Sequence, residues 1–319
     1  MTMARLHRTY LYAPGTRPEV MIKAASSGAD AVILDLEDSV AAADKVSARQ
    51  NIAGLLSGGG FAEATADIHV RINRDENGYD TNDVQAVVSP GLSALRLPKT
   101  TTGDEIAALD ALLAECEAAA GMAVGTVDLY PTIESAAGVF AIEDFADAST
   151  RVARVAFGST DFLADIGGSE SIAADAPDPF VATGTARGLL VLLSRAAGLG
   201  PPIDSVHTVL ADIEGCRIAA ARARSMGFFG KSIIHPRQIA PSHEAFTPTG
   251  AEIAWAHRVL AALDTAATDS TDGGRGVAVV DGEFVDAAVV ARAHGLLQFV
   301  PTATVPTATV PTSSEATEE

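Results

Sequence analysis

Apolar and polar stretches alternate along the first 236 residues in a pattern that predicts a strand followed by a helix, repeated eight times. The clearest strand is the nearly unbroken apolar run Asp30–Leu36, which is typical of a parallel strand covered on both faces. A helix is expected to follow it from about Asp44 to Leu56. The other predicted strands begin at Thr9, Ile68, Ala94, Leu129, Val152, Ile203 and Gly230.

Two helix starts carry their own signals. Thr16 and Glu19 form a capping-box pattern around Pro18, and Thr102 with Glu105 repeats the pattern further along. Eight strand–helix units favour an α/β fold of the closed (β/α)8 TIM barrel type, although a doubly wound open sheet would share much of this pattern. In a barrel, functional side chains are expected on the loops that follow the strands.

The pattern changes after Pro236. Further helical stretches and a loose linker, Asp269–Gly276, precede a hairpin whose turn is Asp281-Gly282 and a helix that begins at Asp286. The last residues repeat Val-Pro-Thr-Ala-Thr, which predicts an extended disordered tail. The expected domains are a barrel over residues 1–236, a C-terminal helical and hairpin extension over 237–298, and the tail over 299–319.

Composition narrows the class of protein. With 319 residues and 48% hydrophobic content, the chain can bury a large core. A net charge of -19 opposes nonspecific binding to nucleic acid or to an anionic membrane, because both need a basic surface. No apolar run reaches the roughly 20 residues that span a bilayer, and no signal core opens the chain, so we expect a cytoplasmic protein. Cys116 and Cys216 lack metal-ligand spacing and are expected to be reduced.

Two acids follow neighbouring predicted strands. Glu134 comes directly after Leu129–Ile133, and Asp161 follows Val152–Phe157 and Gly158. Because the carboxyl ends of parallel strands meet at one edge, Glu134 and Asp161 are predicted to converge on one divalent cation, with Gly158 allowing a close backbone approach. Alternatively, the two acids only open or cap the helices that follow. Polar residues also follow the other strands, namely Arg17, Glu37, Asp38, Arg71, Lys99 and His235.

Eight motifs occur in one order along the chain: Pro14–Glu19, Gly28–Val40, Val70–Asn73, Leu97–Lys99, Ile133–Ser135, Gly158–Phe162, Gly230–Pro236 and Asp281–Asp286. In these motifs the chain resembles the citrate lyase beta subunit-like family of acyl-CoA lyases, which also holds malyl-CoA and citramalyl-CoA lyases. The resemblance implies a magnesium-dependent barrel that cleaves or forms the carbon-carbon bond of a 3-hydroxyacyl-CoA. The partners would be an acyl-CoA and a 2-keto acid, and the assembly a homo-oligomer, either a trimer or a hexamer.

The resemblance also assigns roles to the candidate residues. It places the two Mg²⁺ ligands on Glu134 and Asp161, where a 2-keto acid would chelate the ion through its remaining positions. It places the catalytic arginine on Arg71, because cleavage leaves an enolate oxygen that needs a fixed cation. The alternative for Arg71 is an ion pair with Glu37 or Asp38 at the barrel mouth.

Further roles follow from the same resemblance. Glu37 and Asp38 would hold metal-bound water or orient Arg71 and Lys99, of which Lys99 would also contact the substrate. CoA would lie against Arg17, Lys23 and the first turn of the helix after Thr16. His235 is interpreted mainly as structural. Thr16 and Ser39 depart from the residues common in the family, which leaves the reaction class intact but bears on the identity of the substrate.

Asp286 lies far beyond the last predicted strand of the barrel. The resemblance suggests that its segment inserts this acid into a neighbouring subunit's site to protonate the enolate carbon, whereas the simpler alternative is a helix N-cap. Two other functions stay open. One is a citrate lyase beta subunit that works only with an acyl-carrier partner. The other is a free-acid aldolase, whose usual His base near a strand end has no convincing equivalent here.

Overall fold

The computed structural model describes residues 6–168, 179–269 and 278–299. The expected linker and tail lie outside these residues, apart from Asp269 and Phe299. Residue contacts divide the chain into two compact units, Met1–Phe246 and Thr247–Glu319. None of the described helices is long and apolar enough to cross a membrane.

The first unit is built on a curled parallel sheet, which confirms the predicted α/β class. Its strands and a small hairpin (β4 and β5) are, in chain order, β1 (Thr9–Pro14), β2 (Ala31–Asp35), β3 (Asp67–Arg71), β4 (Arg74–Asp75), β5 (Gly78–Tyr79), β6 (Leu92–Leu97), β7 (Asp128–Ile133), β8 (Ala156–Phe157) and β9 (Lys231–Ile233). The seven sheet strands lie in the order β8-β7-β6-β3-β2-β1-β9, and each pairs in parallel with its neighbour.

Helices follow the strands along the chain. In the first unit they are α1 (Pro18–Ala25), α2 (Lys45–Ser57), α3 (Thr81–Val87), α4 (Gly103–Ala119), α5 (Ala136–Phe140), α6 (Ile142–Ala148), α7 (Ser159–Asp165), α8 (Pro179–Ala196), α9 (Ile213–Met226) and α10 (Ile239–Phe246). Short 3-10 helices span Ala42–Asp44 and Pro236–Gln238. Every residue of β2 is buried, as the unbroken apolar run predicts for a strand covered on both faces.

The predicted strand at Ile203–Ser205 is reduced to single-residue bridges. Ile203 forms an isolated parallel bridge with Ala156 of β8, and Asp204 forms one with Lys231 of β9. The strand predicted from Val152 shortens to Ala156–Phe157. Before it, Val152 forms only an isolated parallel bridge with Leu129, and the carbonyl groups of Ala153 and Val155 accept hydrogen bonds from Gly200 and Ile203. The short stretch therefore lies between the two edge strands of the sheet.

The two predicted capping boxes have different outcomes. Thr102 caps α4, since its hydroxyl accepts a hydrogen bond from the backbone N–H of Glu105 at 3.4 Å. The box at Thr16 is wrong: α1 begins at Pro18, so its N-cap is Arg17, which makes no side-chain capping bond. With Pro18 as the first helical residue, Thr16 stands one position too early to cap the helix.

One apolar cluster of the first unit lies on a single face of the sheet. It contains one or two residues from each of five sheet strands, together with Ile203: Tyr10, Ala31, Ile33, Ala94, Tyr130 and Ala156. Because side chains alternate between the faces of a strand, these residues point the same way and form a common apolar interior. The interior supports the strand ends from which the polar residues project.

The second unit contains α11 (Gly250–Asp269), the hairpin β10 (Ala278–Val280) and β11 (Glu283–Val285), and α12 (Ala287–Gln298). A small core joins the helices and the hairpin through Ala256, Val259, Val280, Val285 and Ala293. The predicted turn at Asp281-Gly282 is confirmed, since both residues adopt positive φ, 53° and 84°, as a tight hairpin turn requires.

Candidate functional site

A cavity of about 450 Å³ lies at the carboxyl ends of the parallel strands. It is lined by Tyr12, Asp35, Asp38, Ser39, Arg71, Thr132, Glu134, Phe157, Gly158, Ser159, Thr160, Asp161, Ser205, Val206, Ser232 and Ile234. Asp35 and Arg71 reach the cavity because they are partners at the ends of β2 and β3, and Glu134 reaches it because it directly follows β7. The predicted location of the functional side chains is thus the location of the cavity.

Glu134 is held tightly against the backbone of the next strand end. A Cβ atom on Gly158 would lie 2.4 Å from Glu134 Cγ, so only glycine fits at position 158. Lys99, whose φ of 53° is unusual for a residue with a side chain, donates its backbone N–H to Glu134 Oε2 at 2.8 Å. Burial, together with repulsion from the nearby carboxylates of Glu37 and Asp161, raises the pKa of Glu134 to about 8.

Neither Glu134 nor Asp161 is the N-cap of the helix that follows it, although Asp161 lies in the first turn of its helix, where an acid suits the helix dipole. Ser135 caps α5 by accepting a hydrogen bond from Gly138 N at 3.1 Å. The N-cap of α7 is Gly158, and Asp161 lies in the first turn of that helix. Both carboxylates instead line the cavity and oppose each other electrostatically.

This donor set fits a hard divalent cation. Two carboxylates that repel each other in a buried cavity lose that repulsion when a cation binds between them. Within the described residues, no cluster of three or more His, Cys, Asp or Glu side chains is arranged to hold a metal by itself. Magnesium takes one or two protein carboxylates and leaves its other positions to water and ligand oxygens.

Arg71 lines the same cavity and is clamped by acidic side chains. Its Nε and Nη2 donate to the two oxygens of Asp35 at 2.6 and 2.7 Å. Its Nη1 lies 2.8 Å from Glu37 Oε2 and 3.4 Å from Asp38 Oδ2, so the ion pairs considered for Arg71 are present. The Tyr12 ring covers the guanidinium at 4.9 Å. Arg71 is therefore a fixed cation with a defined plane.

Asp35 is the partner that sequence reasoning missed. It is buried and also accepts backbone hydrogen bonds from Glu37 at 2.9 Å and Ser39 at 3.1 Å. Burial alone would raise the pKa of Asp35, but the hydrogen bonds and charge of Arg71 outweigh it and hold that pKa below its usual value. The signal in the sequence was an acid at the end of an otherwise apolar strand.

Lys99 and Glu37 extend the same network. Lys99 Nζ donates to Glu37 Oε1 at 2.7 Å, so Glu37 bridges Lys99 and Arg71. Burial raises the pKa of Glu37 in spite of these two cations. Asp38 is more exposed and lies 3.8 Å from Lys99 Nζ. The structure thus brings together the acids and bases predicted for the end of β2, β3 and β6.

Other predicted residues lie away from the cavity lining. Arg17 is exposed and pairs with Glu19 at 3.2 Å, and Lys23 lies exposed in the last turn of α1. His235 Nδ1 accepts from Arg237 N at 3.1 Å, which fits its structural interpretation. Asp286 belongs to the second unit, where it caps α12 by accepting from Val289 N at 2.9 Å.

Several neutral side chains of the lining were also missed. Ser159 and Ser205 share a hydrogen bond of 2.7 Å between their hydroxyl groups. The hydroxyl of Thr132 is buried and has no hydrogen-bond partner among the described residues. Thr132 precedes Glu134 by two positions on the same strand and so faces the same side, which is a signal that the sequence does contain.

A model of the HpcH/HpaI aldolase/citrate lyase family matches residues 8–236, the part of the chain that carries the sheet and the cavity. The chain belongs to this family. Members named in it are carbon-carbon lyases, and the predicted enzyme class, carbon-carbon lyase, is confirmed at that level. The resemblance inferred from the eight motifs is confirmed as well.

Relatives within the family match almost the whole chain. The citrate lyase subunit beta of Leuconostoc mesenteroides subsp. cremoris is 33% identical over 93% of this chain and 94% of its own. The L-malyl-CoA/beta-methylmalyl-CoA lyase of Rhodobacter capsulatus is 33% identical over 95% of this chain and 97% of its own. The chain is therefore as similar to a protein named as a lyase subunit as to one named as a CoA-ester lyase.

Solved structures of the family agree with the fold. A crystal structure of protein CitE from Mycobacterium tuberculosis, in complex with magnesium, acetoacetate and coenzyme A, is 30% identical with a TM-score of 0.69. The match covers 92% of this chain and 97% of that one. RipC from Yersinia pestis, 32% identical with a TM-score of 0.61, matches 77% of this chain and 98% of its own.

Proposed function

We propose that this family member is a magnesium-dependent acyl-CoA lyase. It cleaves or forms the carbon-carbon bond of a 3-hydroxyacyl-CoA such as citramalyl-CoA, malyl-CoA or citryl-CoA, with an acyl-CoA and a 2-keto acid as the other reactants. The observation that carries the proposal is the pair Glu134 and Asp161, two mutually repelling carboxylates in one cavity with the clamped cation of Arg71. The named relatives and the CitE complex support it.

Glu134 and Asp161 would hold the magnesium ion. When bound, the ion acts as a Lewis acid toward the keto oxygen of the substrate. The chain holds the two carboxylates in position. For Glu134, Gly158 and the backbone N–H of Lys99 fix that position. Without a metal, burial and the neighbouring carboxylates raise the pKa of Glu134. A bound cation would balance the charge of the two carboxylates.

Arg71 would stabilise the enolate oxygen of the acyl-CoA. A guanidinium has five N–H donors, and the four contacts to Asp35, Glu37 and Asp38 leave a donor on Nη2 for a ligand. Because Asp35 fixes the plane of the group, that donor has a constant direction and needs no reorganisation during the reaction. Glu37 and Asp38 would orient Arg71 and Lys99, and Lys99 would contact the substrate.

The remaining roles are part of the same proposal. Arg17 and Lys23 would bind the CoA moiety on the outside of the cavity. The sheet would be a closed (β/α)8 barrel, with the bridges of Ile203 and Asp204 standing in for its seventh strand. The protein would be a cytoplasmic homo-oligomer, a trimer or hexamer, in which Asp286 of one subunit serves as the proton donor of a neighbour's site.

The proposal is tested by incubating the purified chain with malyl-CoA, citramalyl-CoA and citryl-CoA, with magnesium or with a chelator. We expect release of a keto acid from at least one thioester, and loss of that release with the chelator. The keto acid is measured by its enzymatic reduction in a coupled assay. No keto acid from any of the three would contradict the proposal.

A second candidate is a citrate lyase beta subunit that acts only with an acyl-carrier partner. It is favoured by the equal identity, 33%, to a protein of that name and to a free-standing lyase. Turnover of free CoA thioesters by the isolated chain excludes this candidate. Turnover only of a thioester attached to an acyl-carrier domain favours it over the first.

A further inference from the structure

The helix that carries Asp161 has no capping side chain of its own. Its N-cap is Gly158, and glycine is required there because any Cβ would collide with Glu134. The free backbone N–H groups at a helix start need acceptors from elsewhere. Ser205, 46 residues further along the chain, supplies one: its Oγ accepts from Ser159 N at 3.1 Å.

The two serines also bond through their side chains. Ser159 Oγ and Ser205 Oγ lie 2.7 Å apart, and both residues are buried, 5% and 1% exposed. Because α7 has only seven residues, few bonds within the helix fix its direction. Asp165, at the other end of the helix, accepts from Ala136 N at 2.8 Å. The contacts at the first turn fix the end that carries Asp161, two residues beyond Ser159.

Ser205 is itself anchored by a buried ionic cluster. Lys231 Nζ donates to the carbonyl oxygen of Ser205 and to Asp204 Oδ2, the latter at 2.6 Å. Arg187 Nη1 from α8 donates to the other oxygen of Asp204. The side chains of Lys231, Asp204 and Arg187 are 2%, 0% and 7% exposed, so their charges are kept in place by each other rather than by water.

We propose that Ser205 and the Arg187–Asp204–Lys231 cluster form a positioning unit that fixes Asp161 opposite Glu134. The inference rests on the proposed function in taking Asp161 as a metal ligand. The unit starts at α8, continues through residues 203–205 and β9, and reaches the site at the first turn of α7. Residues that orient metal ligands typically change metal affinity by about 10–100-fold when they are altered.

The test is the affinity of the full chain for Mn²⁺, followed by electron paramagnetic resonance, together with the midpoint of thermal unfolding. Ser205→Ala should bind Mn²⁺ about tenfold more weakly while its unfolding midpoint changes little. Ser205→Thr keeps the hydroxyl group and should restore the affinity. Ser194→Ala is the matched control, because Ser194 is also 1% exposed but lies on α8 and does not line the cavity.

Each outcome decides a different point. Unchanged Mn²⁺ affinity in Ser205→Ala, or an equal loss in Ser194→Ala, would overturn the positioning role while the proposed function stands. Lys231→Met loses the donor to the Ser205 carbonyl and should show a similar loss of Mn²⁺ affinity. Wild-type affinity in this variant would show that the Arg187–Asp204–Lys231 cluster does not help to position Asp161. A wild-type chain that binds no Mn²⁺ overturns the metal assignment and this inference together.

Discussion

At the scale of single residues, Arg71 is defined less by its own charge than by the groups that surround it. Asp35 accepts from two nitrogens of the guanidinium, Nε and Nη2, Glu37 lies beside the third, Nη1, and Tyr12 covers its face. Burial acts to lower the pKa of Arg71, but Tyr12, Asp35 and Glu37 outweigh it and raise that pKa above its usual value. The cation is thus permanent over any working pH, and only its geometry can be lost.

The substitution Arg71→Lys tests that geometry. A lysine keeps the charge but cannot form the paired hydrogen bonds with Asp35, so the charge no longer has a fixed direction. We expect kcat to fall by roughly 10²–10³, as when one donor to a developing oxyanion is removed. Arg217→Lys, at an exposed arginine of α9, is the control and should keep wild-type kinetics. An Arg71→Lys enzyme with normal kcat would contradict the role of the paired bonds.

Glu134 leads to a prediction about pH and metal binding. Burial, with added repulsion from Glu37 and Asp161, raises its pKa to about 8, so the metal-free protein carries a proton on Glu134 at neutral pH. A metal must displace that proton, and its affinity should therefore rise about tenfold per pH unit up to about pH 8 and then level. Titration of Mn²⁺ binding between pH 6 and 9 measures this slope. A flat profile would show that Glu134 is not a ligand that must lose a proton.

The same carboxyl group affects the stability of the metal-free protein. A carboxyl with a higher pKa in the folded than in the unfolded chain adds stability at low pH, and this stability is lost as pH rises through the folded pKa. For Glu134 the loss runs from the ordinary value of 4.5 to about 8. Unfolding by urea across this range should show falling stability without metal. Glu134→Gln should flatten that fall, and an unchanged slope would place the titrating group elsewhere.

The sequence identified the charged residues of the site better than their partners. Glu134, Asp161 and Lys99 could be placed because each follows a strand, and the edge of a parallel sheet gathers such positions. Arg71, which ends β3, was assigned its role from the family resemblance. Asp35 escaped this argument because it belongs to the strand itself. Which acid pairs with Arg71 depends on strand register, and register is set by contacts between distant residues that one sequence does not show.

At the scale of the elements, the site depends on how closely β7 approaches the start of α7. Glu134 lies against the bare backbone of Gly158, and the first turn of α7 begins at the next residue. The same contact that holds one carboxylate removes the helix's own cap, which is why the helix relies on Ser205. The two strand ends and the short helix therefore act as one element of the site.

Gly158→Ala tests this close approach. The added methyl group would lie 2.4 Å from Glu134 Cγ, so the Glu134 side chain must move. We expect metal affinity and turnover each to fall at least about tenfold, in the range of altered ligand positioning. Gly188→Ala in α8 is the matched control, since nothing lies within 4 Å of its added Cβ. It should raise stability by about 0.5–1 kcal/mol as a better helix former. Equal metal affinity of the two variants would contradict the close approach.

Element boundaries show where sequence reasoning stops. The helix caps Thr102 and Asp286 and the turn Asp281-Gly282 were found because each is a local bond pattern between neighbours in the chain. The predicted strand from Val152 failed at its start, where its backbone bonds to a segment almost fifty residues away. Local chemistry can be derived from one sequence, whereas pairing between distant segments cannot.

At the scale of the whole molecule, the residues proposed for catalysis belong to two different units. The first unit holds the cavity, and Asp286 lies at the start of α12 in the second. As the cap of α12, Asp286 already has a structural role, and the proposed role as proton donor needs a separate test. An experiment with two different subunits in one oligomer can separate these roles.

Mixed oligomers of Asp286→Ala and Arg71→Ala chains provide that test. Each variant alone should be nearly inactive, because one loses the proposed proton donor and the other the cation for the enolate. If sites are shared between subunits, co-refolded mixtures should regain part of the wild-type rate through sites with both residues intact. Absence of recovery in mixtures whose composition is verified, or a near-normal rate for Asp286→Ala alone, would leave Asp286 as a helix cap.

The register between β2 and β3 has a consequence for how the chain can change in length. Asp35 and Arg71 meet because they are partners in one row of the sheet, at the last paired position of each strand. Inserting or deleting one residue inside either strand would turn every side chain beyond that point to the other face and separate the pair. The long connections between the strands carry no such constraint. Members of the family should therefore differ in length between these strands and never within them.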